Sequence, residues 1–157
     1  MATTKTSAID VAKYLVWLAD SEDEPDRLTP MRIQKLLYYC QGWSLVRRDR
    51  PAFYERIQAW AHGPVVPEVF QEFKSYGRDA IPANQGDCKA VSEGDAAFVN
   101  GVWAVYKPYS AISLSQMTHD ERPWKDARGN LPREASCKKE ITTKALRLFF
   151  SDLAKKR

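Results

Sequence analysis

Four stretches of the chain repeat one apolar spacing. Val11, Tyr14, Leu15 and Leu18 stand at i, i+3, i+4 and i+7. So do Ile33, Leu36, Leu37 and Cys40, then Val66, Val69, Phe70 and Phe73, then Leu146, Phe149, Phe150 and Leu153. At 3.6 residues per helical turn each set falls on one face, and each face needs a partner to bury against. Four such faces in 157 residues predict a helical domain with one shared core. A fifth stretch has Phe98, Val102, Val105 and Tyr109 on one side, and small Ala97, Gly101 and Ala104 on an adjoining stripe that another helix can approach closely. It predicts a helix to about Lys107.

The punctuation agrees with these periods. Ser7 before Asp10 and Ser92 before Asp95 fit N-terminal caps, while Thr29-Pro30 supplies a cap and a first helical residue, with Leu28 placed to staple onto Ile33. Pro67 can open the third helix with Val65 stapling onto Phe70, and Gly77 can end it. Alternation over Arg56-Ile57-Gln58-Ala59-Trp60 predicts one edge strand, and a lone strand keeps the β content minor. Arg78 to Ala90 reads as loop, and Lys125 to Lys139, with Gly129-Asn130 and Pro132, as a surface connection. The expected fold class is mainly α: a compact single-domain helical bundle of about five main helices with short extended segments, over residues 1–157, leaving no room for a second domain.

A chain of this length buries roughly 70% of the surface its unfolded form exposes, enough for a core without staples. Cys40, Cys88 and Cys137 are far apart and odd in number, which excludes CxxC redox and zinc-ribbon patterns and suits a reducing compartment. The apolar run Ile9 to Leu18 is broken by Asp10 and Lys13 and is too short to span a bilayer, so a cytoplasmic protein with no membrane partner is expected. Net charge is +4, from 24 basic and 20 acidic residues. The clusters Arg47-Arg48-Arg50, Lys138-Lys139 and Lys155-Lys156-Arg157 read as solvated charge, and the acidic run Asp20 to Asp26 as an exposed inter-helix loop without calcium-site order.

Three motifs stand out. Lys35-Leu36-Leu37-Tyr38-Tyr39 lies in the second helix. Trp60-Ala61-His62-Gly63-Pro64-Val65-Val66-Pro67-Glu68-Val69-Phe70 is a chain reversal leading into a helix, with Gly63 free to take angles closed to other residues. Leu114-Ser115-Gln116-Met117-Thr118-His119-Asp120-Glu121-Arg122-Pro123-Trp124 follows, closed by Ala127 and Arg128. In this order and spacing they resemble the SocA/Panacea family of bacterial and phage antitoxin domains, which includes the GepA-like phage-associated proteins. The resemblance spans nearly the whole chain. It implies a non-enzymatic antitoxin of a toxin-antitoxin system, whose partner is a cognate protein toxin neutralised by direct binding.

His62 and His119, the two histidines, each sit in one of these motifs. No Gly-x-Ser-x-Gly, His-Glu-x-x-His, Cys-Gly-x-Cys-Trp or Gly-rich phosphate loop accompanies them, so no catalytic residue, metal or cofactor is expected. The structural alternative is a hydrogen bond from His62 to Glu121, or from His119 to Glu68, tying the loops together. Thr118 with Glu121 matches a capping box that Pro123 keeps short, with a new turn beginning at Pro123. Aromatic anchors and polar donors on irregular backbone make Trp60, His62, Gly63, Pro64, His119, Glu121, Trp124 and Arg128 the candidate partner-binding residues. The second reading is a DNA-binding transcriptional regulator using Arg32, Gln34 and Lys35 on the outer face of helix two, although Gln34 and Lys35 there read as solvated and the modest charge makes nucleic acid an unexpected partner. A homo-oligomer is left open.

Overall fold

The run Leu36-Leu37-Tyr38-Tyr39-Cys40 has no polar side to turn to water, and it lies at the centre of the molecule. In a computed structural model describing residues 4–156, which leaves Arg157 of the terminal basic cluster outside the described residues, this run belongs to α2 (Pro30–Arg47). Every residue of α2 from Arg32 to Leu45 is buried, the behaviour of a helix surrounded on all sides. Around it pack α1 (Ala8–Asp20), α3 (Pro67–Phe73), α4 (Glu93–Tyr106), α5 (Ala111–His119) and α7 (Thr143–Lys155). α6 (Arg122–Arg128) follows α5 and packs on α7. Gly42 of α2 lets α7 come in: a Cβ there would collide with the Phe150 ring, which is fully buried and edge-to-face with Trp43 and Tyr38.

The expected caps form. Ser7, Thr29 and Ser92 accept hydrogen bonds from the backbone N–H groups of Asp10, Arg32 and Asp95. Ser110 and Thr142 cap α5 and α7 in the same way. α3 runs into a 3-10 turn, Lys74–Tyr76, and stops at Gly77 with φ +59°. The result is mainly helical and built on one hydrophobic cluster, with seven α-helices among the described residues, none long and apolar enough to cross a membrane.

Several expectations are corrected. The strand β1 (Ile57–Trp60) is central, between β2 (Gly63–Val65) and β3 (Glu140–Ile141), both antiparallel to it. Two-residue β3 is too short to show a period. Residues 111–119 form a full helix, so Thr118 sits near the C-terminal end of α5 and donates to the Ser115 carbonyl, while Glu121 precedes α6 without a side-chain cap. Phe70 is 36% exposed, because the short α3 seats Val69 and Phe73 inside and turns Phe70 against the Trp60 ring. In α4 the buried hydrophobic residues are Val99, Val102, Trp103 and Tyr106, so Val105 and Tyr109 of the expected face stay exposed. Arg32, Gln34 and Lys35 are all buried, which corrects the solvated placement of Gln34 and Lys35 and the outer recognition face of all three.

Candidate functional site

The site is assembled on the reversal between β1 and β2. Trp60 pairs with Gly63 across a two-residue turn, Ala61-His62. Gly63 has φ +120°, where side chains are strained, and a Cβ there would lie 2.7 Å from Lys35 Cε and 3.1 Å from Thr118 Oγ1. Glycine is required twice over, by backbone angle and by space.

α2 holds one side of this joint. Lys35, 1% exposed, donates from Nζ to the Pro64 carbonyl at 3.0 Å. The Gln34 amide serves both backbone groups of Val66, accepting from its N–H at 2.7 Å and donating to its carbonyl at 3.3 Å. Both polar side chains are buried because this backbone, turning into α3, offers groups that need partners. Burial pulls the Lys35 amine down to about 7, since a low-dielectric surrounding penalises its charged form.

The other side is held by α5 and α6, one carbonyl at a time. Arg128 Nη1 donates to Ala59 O at 2.9 Å, Trp124 Nε1 to Trp60 O at 2.7 Å, and Ser115 Oγ to His62 O at 2.9 Å. Between them His119 Nε2 lies 3.0 Å from Ala61 O. Four successive carbonyls are therefore taken by residues 128, 124, 119 and 115: two four apart on α6 and two four apart on α5, the spacing that keeps each pair on one helix face. A carbonyl only accepts, so His119 carries its proton on Nε2, and Nδ1 accepts from Arg133 at 2.9 Å. Burial, with Arg133 nearby, lowers the pKa of His119 and favours this neutral form, and the ring stands edge-on to Trp124 at 4.2 Å.

Arg128, 2% exposed, also donates from Nη2 to the carbonyls of Pro132, Arg133 and Ala135, so one guanidinium ties the connection after α6 to the strand. Glu121 accepts from the Tyr38 and Tyr39 hydroxyls at 2.9 and 3.0 Å. Burial pushes its carboxyl up to about 7 against the opposing effect of those two bonds. The same burial and the adjacent carboxylate raise both tyrosines. These bonds replace the His62 to Glu121 and His119 to Glu68 ties expected of the loops.

The eight candidate residues thus converge, but in different capacities. Gly63, Pro64, Trp124 and Arg128 are buried, and Glu121 and His119 are half-buried with their polar atoms engaged. Trp60 is half-buried and His62 exposed, beside Phe70. Next to them, His119, Trp124, Leu131 and Arg133 border a cavity of about 240 Å³. Neither nitrogen of His119 is left to serve a nucleophile, and Ser115 and Thr118 spend their hydroxyl protons on backbone carbonyls. Among the described residues no group of three or more His, Cys, Asp or Glu is placed to hold a metal ion. Gln34, Lys35 and Ser115 are site residues beyond the expected eight; the apolar run after Lys35 marks a helix with no solvent face, but nothing near positions 34 and 35 in the chain shows what their polar groups bond.

A family model described as "Antitoxin SocA-like, Panacea domain" matches residues 33–125, from the start of α2 into α6. The chain belongs to this SocA-like Panacea family. The match takes in the joint, the gripping residues of α2 and α5, and Trp124 of α6, and it stops short of Arg128. A curated relative, Antitoxin SocA of Caulobacter vibrioides (strain NA1000 / CB15N), is 37% identical over 67 residues, covering 43% of this chain and 35% of the relative. The chain thus spans about a third of the length of that relative. No solved structure matches.

Proposed function

We propose that this Panacea-family protein is a cytoplasmic antitoxin that neutralises a cognate protein toxin by binding it directly, without catalysis. The observation that carries the reading is the gripped joint: four consecutive carbonyls are held from one side and the Pro64 and Val66 backbone from the other. A turn fixed in this way presents Trp60, His62 and Phe70 to solvent without freedom to lose on association. The Trp60 and Phe70 rings pack edge-to-face at 5.1 Å and form an aromatic anchor of the kind binding surfaces favour. Gly63, Pro64, His119, Trp124 and Arg128 act behind them by shaping and holding the turn, and Glu121 ties the start of α6 to Tyr38 and Tyr39 of α2.

Co-expression with the toxin gene next to this one tests the reading. Growth is rescued and the two proteins co-purify without nucleic acid. Trp60→Ala with His62→Ala loses rescue while the purified variant melts as the parent does. Rescue by that double variant moves the contact elsewhere, and failure of the unaltered protein to rescue removes the antitoxin role.

A further inference from the structure

A second surface shares no lining residue with the joint. A groove of about 340 Å³ runs between the C-terminal half of α2 and the outer face of α4, walled by Trp43, Phe98, Val105 and Tyr106. Gly101 leaves the α4 side bare: a Cβ at that position would meet no atom within 4 Å. Glycine weakens a helix interior, and nothing inside this protein requires it here.

The groove has a charged end. Arg47 is exposed and lies over the Trp43 ring, 5.1 Å from its centroid, with no carboxylate paired to it among the described residues. Arg48 lies over Phe98 at 4.2 Å and pairs with Asp95 at 2.7 Å, while Arg50 reaches the same carboxylate only at 3.8 Å. Neighbouring Asp49 is taken by Arg147. Three guanidinium groups therefore stand here against Asp95, leaving an excess of positive charge beside an apolar trough.

We propose that this groove docks an amphipathic α-helix of the partner protein, with its apolar face on Ala97, Phe98 and Val105 over the buried Trp43, and an acidic side chain paired with Arg47. Gly101 lets the backbone of such a helix approach closely. A second copy of this chain is a poor occupant, because a two-fold contact sets Arg47, Arg48 and Arg50 against themselves. The inference rests on the antitoxin reading and adds a contact to that complex.

Titration calorimetry with the purified toxin tests it in three forms of the protein: unaltered, Gly101→Leu and Arg47→Glu. Leucine has room at position 101 and is the better helix former, so this variant folds and fills the groove; melting curves verify both variants. Each substitution is expected to weaken the Kd by about tenfold or more, and a Glu→Arg change on the docked toxin helix restores binding to Arg47→Glu. Unchanged affinity in both variants overturns the groove and leaves toxin binding standing. Absence of any complex with the unaltered protein overturns the antitoxin reading, and the groove with it.

Discussion

Trp124 donates its indole N–H to the carbonyl of Trp60 across 2.7 Å, and the two side chains divide the work of the joint between them. Trp124 is 5% exposed and anchors the turn from α6, whereas Trp60 keeps part of its ring in solvent against Phe70. Trp124→Phe keeps most of the packing and orphans the carbonyl, so it is expected to cost about 1–3 kcal/mol in denaturant unfolding. An unchanged unfolding midpoint contradicts the anchoring role.

Arg128 makes a stronger demand. Its guanidinium serves the Ala59 carbonyl and three carbonyls of the following connection, and lysine is a point donor on a flexible stem. Arg128→Lys is expected to lose about 2–4 kcal/mol, lowering the melting temperature by roughly 5–15 °C in a domain of this size. Circular dichroism measures it, and a parent-like melt removes the clamp.

At Gly63, alanine meets both a φ of +120° and the Lys35 side chain 2.7 Å away. Backbone strain and overpacking together predict a loss of about 2–5 kcal/mol for Gly63→Ala. Adding Lys35→Ala clears the 2.7 Å contact but not the strain, and takes the donor from the Pro64 carbonyl, so recovery of stability is at most partial. Full recovery in the double variant shows that the backbone angle is tolerated.

Buried ionisable groups predict a pH profile. The carboxyl of Glu121 titrates near 7 when folded, above its ordinary 4.5, so between these values the folded protein holds a proton that the unfolded chain has released. Stability therefore falls as pH rises from about 4.5 to 7, by an amount of order 3 kcal/mol. Lys35 has the opposite slope: lowered from 10.5 to about 7, it lets stability rise with pH above 7. The raised tyrosines Tyr38 and Tyr39 oppose this above about 10, where the unfolded chain ionises and the folded one does not. Glu121→Gln is expected to flatten the acid limb and Lys35→Met the limb from 7.5 to 9.5. Urea unfolding across this range checks both, and limbs that survive the substitutions contradict the assignments.

The helices, their caps and the joint were legible in the sequence because each depends on residues near one another in the chain, whereas the exposure of Phe70 and Val105 is set by which neighbours α3 and α4 meet. Ser7, Thr29 and Ser92 act within three residues, and Gly63 and Pro67 act on their own backbone. Burial of Gln34 and Lys35 was not legible, since the backbone that satisfies them lies about thirty residues downstream and polarity alone reads as exposure. β3 escaped for a related reason: its two residues gain meaning only beside β1. The third motif was visible as a pattern, but its logic became clear only when Ser115, His119, Trp124 and Arg128 were seen to meet four consecutive carbonyls.

Hydrogen exchange on the purified protein, with and without its toxin, decides whether the gripped joint is the proposed contact. In the complex, exchange is expected to slow at Ala61, His62 and along α3 through Phe70. Unchanged exchange over residues 60–70, with protection confined to other surfaces, contradicts it.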